Sequence, residues 1–214
     1  MKVISIEGNI GAGKTTLITA IEKIADKSFC VLREPVHLWE KVRDPHTDET
    51  ILEKFYRDSK TYAFPFQVMA FQTRLQEFRR VLSENRDCKV LFCERSLEAD
   101  ANIFAKMLHD DGFIEPICYD IYKQMYESAI AEFSVDQFVY MRVDPQICSE
   151  RIVMRGRQGE EAIPLEYLEK CHTYHSEWMN TENNVVALSE REASELLADP
   201  ELLQKWVDCM IDTV

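Results

Sequence analysis

The sequence predicts an α/β fold, a five-stranded parallel sheet flanked by helices. Three observations carry this. Five short apolar runs of strand length recur along the chain. Stretches of helical periodicity separate them, and the first run leads straight into a glycine-rich loop. The runs are Val3–Ile6, Phe29–Leu32, Val90–Cys93, Phe138–Met141 and Val185–Leu188. They are rich in Val, Ile and Phe and lack in/out alternation, as strands buried on both faces of a parallel sheet should.

Between the runs lie the helical patterns. Leu17, Ile18, Ile21 and Ile24 mark a helix after the glycine-rich loop. Phe66–Leu82 sets Phe66, Met69, Ala70, Thr73 and Phe78 near one helical face, and Ile114–Phe133 and Leu165–Met179 read the same way. Asp144-Pro145 is an N-cap followed by proline at the first helical position. Strands alternating with helices give the α/β class.

The 214 residues suit a single domain spanning 1–214, and such a length buries enough surface to need no disulfide or metal staple. The net charge of −13 argues against a nucleic-acid face and against anionic membrane, and no apolar run approaches a membrane span. Seven scattered cysteines form no CxxC pair; Cys30, Cys93, Cys118 and Cys148 read as small core residues. With no basic leader before Val3, the expectation is a reducing, cytoplasmic location.

Gly8-Asn9-Ile10-Gly11-Ala12-Gly13-Lys14-Thr15, with Thr16 behind it, fits G-x-x-x-x-G-K-[ST] between a buried strand and a helix. Glycines let the backbone wrap a polyphosphate, and successive N–H groups with the helix N-terminus face its oxygens. Lys14 is placed to reach the β/γ-phosphates and Thr15 to hold Mg²⁺ of a bound NTP. Glu94 ends a buried strand level with this loop, as a Mg²⁺-associated carboxylate would, followed by Arg95. Glu34 is kept extended by Pro35 and is a candidate proton acceptor; Glu7 reads as a strand-end residue without chemical role. Arg151, Arg155 and Arg157 stand next to an acidic C-terminal stretch, so a lid over about residues 151–163 is expected to clamp phosphates, with a dipole-matching helix end as the alternative. His172 and His175 read as surface residues, and Cys93 as core.

Taken together, these segments resemble the deoxyribonucleoside kinase family, whose deoxycytidine, deoxyguanosine and deoxyadenosine kinases share a P-loop kinase fold. The matching stretches are Ile6–Lys14, Glu34-Pro-Val-His-Leu-Trp39, Phe66-Gln67, Glu94-Arg95-Ser96, Arg155-Gly-Arg157 and Ile163–Glu169. The resemblance implies Glu34 as the base for the deoxyribose 5′-hydroxyl and Arg95 as the residue holding both. It implies Glu94 beside Thr15 at Mg²⁺, and Arg151, Arg155 and Arg157 in the lid. Tyr56 and Glu160 would bind the 3′-hydroxyl, Gln67 would read the base edge, and Trp39, Phe66 and Phe104 would wall the base. Taken alone, Trp39, Tyr56, Phe66 and Phe104 read more readily as core. The resemblance further implies a homodimer, and places Ser189–Arg191 near the donor base.

By the same resemblance Arg74 and Asp100 face the nucleobase, with Ala70 keeping the pocket floor open. A buried Arg–Asp pair is expensive to desolvate without a use. Deoxycytidine and/or purine deoxynucleosides are therefore expected over thymidine. Three departures stand out: Ala99 and Ala101 flank Asp100 where Ser and Arg are frequent; Gly11 replaces a frequent Ala, which the loop should tolerate; and Gly159 is expected to loosen the lid. The alternatives are a nucleoside monophosphate kinase of thymidylate kinase type, a P-loop switch or ATPase acting through protein partners, and a catalytically dead binding module.

Overall fold

A computed structural model describes residues 1–26 and 28–214. Five strands, β1 (Lys2–Gly8), β2 (Phe29–Leu32), β3 (Val90–Glu94), β4 (Gln137–Arg142) and β5 (Val185–Ser189), form one sheet in the order β2-β3-β1-β4-β5. Every pairing is parallel; Ile4 lies opposite Phe92, and Ile6 opposite Val139. The expected α/β sheet is thus observed, each strand within two residues of its predicted run.

The helices are α1 (Lys14–Lys23), α2 (Val36–Trp39), α3 (Ile51–Arg57), α4 (Ser59–Glu84), α5 (Leu97–Ala99), α6 (Lys106–Asp110), α7 (Pro116–Ile130), α8 (Pro145–Arg155), α9 (Leu165–Met179), α10 (Glu190–Ala198) and α11 (Pro200–Thr213). A π-helical turn, Asp100–Ala105, joins α5 to α6, and a 3₁₀ turn, Glu160–Ala162, precedes α9.

Both sheet faces are covered, which is why the strands carry unbroken apolar runs. Ile4, Ile6, Phe92 and Val139 meet Leu17, Ile18 and Ile21 of α1 and Val207 of α11 on one side. Val3, Leu91 and Cys93 meet Phe71, Leu75 and Phe78 of α4 and Tyr122 of α7 on the other.

Helix boundaries differ from the sequence reading at two points. α4 begins at Ser59, before Pro65, because Asp58 caps it through Thr61 N at 3.2 Å and Ala63 is fully buried. α7 begins at Pro116, not Ile114, since proline suits the first helical turn. Of the expected core cysteines, Cys93 and Cys148 are buried; Cys30 and Cys118 are half-buried.

The chain leaves β1 toward β2 on one side of the sheet and returns through β3 to reach β4 on the other. This reversal opens a crevice at the C-terminal ends of β1 and β3, where α/β sheets bind ligands. The glycine-rich loop, Glu34 after β2, and Glu94-Arg95 at the end of β3 all arrive there.

Candidate active site

A cavity of about 760 Å³ occupies this crevice, running from the phosphate loop to a ring of aromatic side chains. Ile10, Gly11, Gly13, Lys14, Thr15 and Thr16 line its loop end. Gly8, Asn9 and Ala12 do not. Gly8 and Asn9 turn carbonyls to the Lys14 ammonium, at 3.1 and 2.8 Å, and the Asn9 amide pins the loop to Leu168 O at 2.8 Å. Ala12 is buried beneath the loop. Burial, reinforced by Arg95, pulls the Lys14 pKa down to about 8 against the opposing pull of Glu34, Glu94 and Glu7. Among the described residues no carboxylate pairs with Lys14. Thr15 Oγ1 donates to Glu94 Oε1 at 2.6 Å, joining the loop hydroxyl to the β3-end carboxylate.

Gly11 has φ +80°, and a Cβ there would lie 2.5 Å from the Cys148 carbonyl oxygen. The loop accommodates glycine at this position, and in this chain α8 approaches too closely for a side chain there.

Glu7, fully buried near the end of β1, accepts from Ser5 Oγ at 2.7 Å and from Ser96 N at 2.9 Å. Above it Glu34 meets two guanidiniums, Arg95 Nε and Arg74 Nη2, each at 3.2 Å. Burial works to raise the Glu34 pKa, but Arg95, Arg74 and Lys14 overcome it and bring it to about 2. Glu34 is therefore ionised throughout the neutral range, ready to accept a hydrogen bond from a hydroxyl.

Arg74 on α4 also grips Asp100, Nε to Oδ2 and Nη2 to Oδ1, both at 3.3 Å. Both residues are only 2% exposed, and Arg74 Nη1 has no partner. Burial raises the Asp100 pKa against the pull of Arg74. The π-helical turn sets Asp100 and Phe104 on the same wall; π turns of this kind recur at functional sites. The Arg95 guanidinium rests 4.6 Å from the Phe104 ring centre.

The far end is aromatic. Phe66 stands edge-on to Trp39 at 5.5 Å and stacks on Phe55 at 4.8 Å. Trp39 is fixed by its indole N–H to Thr73 Oγ1 at 2.9 Å. Gln67 is buried on the cavity wall and its Oε1 has no protein partner, an orphan acceptor at the edge of an apolar slot. Ala70 lines the same wall.

Tyr56 and Glu160 both line the cavity, and burial followed by the Glu160 charge pushes the Tyr56 phenol well up. Glu160 is held by Arg155 and, at 3.0 Å, by Arg157. Arg151 reaches Glu190 at 2.6 Å, bringing the lid helix to the Ser189–Arg191 segment. Arg151, Arg155 and Arg157 all line the cavity, and Arg151 also donates to Ala12 O of the loop.

Gly159 packs against α3. Its φ is +88°, and a Cβ would lie 2.8 Å from Glu53 Cγ. Gln158 donates to Glu53 Oε1 at 2.8 Å, while Glu53 also closes the capping box of α3 with Thr50. Glycine here is what lets the lid seat on α3.

Sequence reasoning missed Phe55 and Tyr167 on the cavity wall, and misplaced His175. His175 is fully buried, not on the surface; His172 is half-buried. The signal was present: His175 continues the apolar stripe Leu168, Cys171, Trp178 and Met179 of α9. Among the described residues no helix is long and apolar enough to cross a membrane.

Known proteins are similar in sequence to this chain along most of its length. A fowlpox virus protein named "Probable deoxycytidine kinase FPV151" is 36% identical over 186 residues, covering 86% of this chain and 73% of its own length. Deoxycytidine kinase of Mus musculus is 32% identical over 197 residues, covering 84% and 75%. That of Rattus norvegicus is 33% identical over the same span. The family model for deoxynucleoside kinases matches residues 4–211, so it takes in the loop, both strand-end carboxylates, the lid and the aromatic slot together. The chain belongs to the deoxynucleoside kinase family, and is a kinase.

Proposed function

We propose that this kinase transfers the γ-phosphoryl group of ATP, or another NTP, to the 5′-hydroxyl of a deoxyribonucleoside, with deoxycytidine and/or purine deoxynucleosides favoured over thymidine. One observation carries the reading. The ionised Glu34, held by Arg95 at 3.2 Å, stands between a phosphate loop and a closed aromatic slot.

The roles follow from the positions. The nucleoside base enters between Trp39, Phe66 and Phe104, where Gln67 and the Arg74–Asp100 pair meet its polar edge. Tyr56 and Glu160 take the 3′-hydroxyl. Glu34 then faces the 5′-hydroxyl and accepts its proton as the new P–O bond forms. Arg95 orients Glu34 and the acceptor, and Lys14, Arg151, Arg155 and Arg157 bear charge on the transferring group. The Thr15 hydroxyl and Glu94 carboxylate, 2.6 Å apart, fit Mg²⁺ of a bound nucleotide. Mg²⁺ supplies neutralisation of the β- and γ-phosphate oxygens. The aromatic and polar lining excludes water that would otherwise hydrolyse the donor.

Base preference rests on Arg74 and Asp100, whose buried charges reject a base that leaves them unpaired. The relatives named deoxycytidine kinase support the same acceptor class. A homodimer is part of the reading, with Ile117 and Ile121 exposed on α7 as apolar surface for a second copy. Free cysteines are consistent with a cytoplasmic setting.

The test is a panel of four deoxynucleosides and dCMP with ATP and Mg²⁺. Phosphorylation of deoxycytidine or a purine deoxynucleoside, with thymidine weaker, is the expected result. Preferred use of dCMP would make the chain a monophosphate kinase. Hydrolysis of ATP without any acceptor would make it an ATPase. A kcat/KM for thymidine equal to or above all others would overturn the base preference alone.

A further inference from the structure

We infer that His175, outside the cavity wall, is a positioning residue that fixes the Arg95 guanidinium for phosphoryl transfer. This rests on the reading of the cleft just given. Arg95 follows β3 in a left-handed backbone conformation, φ +70°, which a non-glycine residue adopts only when its surroundings hold it there. Its side chain is only 2% exposed and is held on every side. Nε points to Glu34 Oε1 at 3.2 Å, Nη2 to the Gly8 carbonyl at 3.2 Å, and Nη1 to His175 Nε2 at 3.5 Å. The Phe104 ring closes one face. Of the five N–H donors of a guanidinium, three are thereby committed, and the other two are left for a ligand.

The contact with His175 has one workable proton arrangement. His175 Nδ1 lies 2.6 Å from the Cys171 carbonyl oxygen, which only accepts, so Nδ1 carries the ring proton. Nε2 of the neutral ring is then a bare lone pair, and Arg95, which has no acceptor, donates to it. A second ring proton would set N–H against N–H and push the guanidinium off Glu34. The surroundings oppose that proton from each packed element. Arg95 follows β3, Lys14 lies on α1 and His172 on α9, all of one sign or neutral, and burial adds to them; the ring is held well below its ordinary value. The Tyr140 ring of β4 stacks parallel at 6.0 Å with its hydroxyl turned to Ser176, and Phe104 stands edge-on at 6.3 Å.

An apolar side chain would fill this place in the α9 stripe as well. The imidazole costs desolvation there; its Nδ1–H bond to Cys171 O stays within α9, and what it offers the cleft that Leu does not is an acceptor aimed at Arg95. His175 thus selects which edge of the guanidinium faces the reacting atoms.

The experiment compares H175L and H175Q, each alone and combined with R95K, by kcat, KM and thermal stability with deoxycytidine and ATP. Leucine keeps bulk and loses the acceptor; the glutamine oxygen reaches the place of Nε2. H175L is expected to lower kcat about 10- to 100-fold, as a misplaced orienting group does, with nucleoside KM changed by less than about threefold. H175Q should recover most of that loss, and H175L should cost nothing further in the R95K chain. Equal losses from H175L in both chains, or Leu and Gln variants alike in kcat, would show that the ring only packs. Should H175L not fold, H175N, whose amide stops short of Arg95, takes its place. A wild-type chain that phosphorylates no deoxynucleoside would defeat the functional reading instead. His175 is then judged by ¹⁵N NMR of the ligand-free chain: an Nδ1–H tautomer at about pH 6 whose Nε2 resonance moves in R95K supports the contact, and a doubly protonated ring or an unmoved resonance overturns it.

Discussion

Replacing Asp100 by alanine probes a fully buried charge pair. Arg74 is 2% exposed, and its two hydrogen bonds to Asp100 are both 3.3 Å long. Nη1 has no partner already. D100A leaves the guanidinium with Glu34 alone, and removing one partner of a buried pair costs about 3–5 kcal/mol. For a chain of 214 residues, about 2–4 °C of Tm is lost per kcal/mol, so a fall of roughly 6–20 °C is expected. The double variant R74M/D100L removes both charges and their desolvation together. It should cost less than the two single changes combined, a coupling of about 0.5–3 kcal/mol measurable by urea unfolding of all four chains. R74M alone strands Asp100, whose pKa is already raised by burial. A carboxyl with a raised folded pKa is stabilising when protonated and loses that as pH rises, so the R74M deficit should grow with pH. The double variant should also shift kcat/KM toward thymidine. A D100A chain within about 0.5 kcal/mol of wild type, or strictly additive single changes, would refute the account of a closed, mutually dependent pair.

Four other outcomes are expected. E34Q should lower kcat about 10²- to 10⁴-fold while nucleoside Kd, by calorimetry, changes little; retained activity removes Glu34 from the role of base. Burial and Arg95 bring the Lys14 pKa down to about 8; bound phosphates would keep it protonated, so NTP affinity should be flat below about 8 and weaken by up to about tenfold per pH unit above it. Buffers of differing ionisation enthalpy should reveal the matching proton uptake. Glu98 on α5 accepts from Val135 N with one oxygen and has no partner for the other, and burial, aided by Glu7, raises its pKa to about 7. Its stabilisation is complete below 4.5 and lost as pH rises through 7, so E98Q should be more stable than wild type at pH 8 by roughly 1–3 kcal/mol in urea unfolding, and level with it at pH 4.5. G159A should unseat the lid from Glu53 at a cost of about 1–3 kcal/mol, seen as faster proteolysis near residue 159 and a raised nucleotide KM.

The sheet was legible because both of its faces are covered, so each strand reads as an unbroken apolar run. The phosphate loop was legible because its chemistry is local, carried by eight consecutive residues. What sequence periodicity lacks is the identity of the opposing surface. It put Gln67, Ala70 and Arg74 on one helix but gave no reason for Arg74 to bridge Glu34 and Asp100, which approach it from β2 and from the π-helical turn. His175 followed the apolar period of α9, yet a histidine pair three residues apart read as surface until Cys171 O and Arg95 were seen on either side of the ring. Gly159 read as slack because nothing local shows Glu53 pressed against it.

The lid arginines carry one last implication. Arg151 holds Glu190, and Arg155 and Arg157 hold Glu160. Glu190 and Glu160 thus occupy all three arginines, Glu160 from its own place on the cavity wall. A chloride or free phosphate arriving from solvent must evict a tethered competitor whose local concentration it cannot match. On the proposed function a nucleoside triphosphate can, because Lys14, the loop amides and the arginines would engage it together. On the proposed function, the arginines are screened from free small anions by carboxylates the protein supplies to itself, and a ligand that engages Lys14 and the loop amides as well is favoured over one that does not.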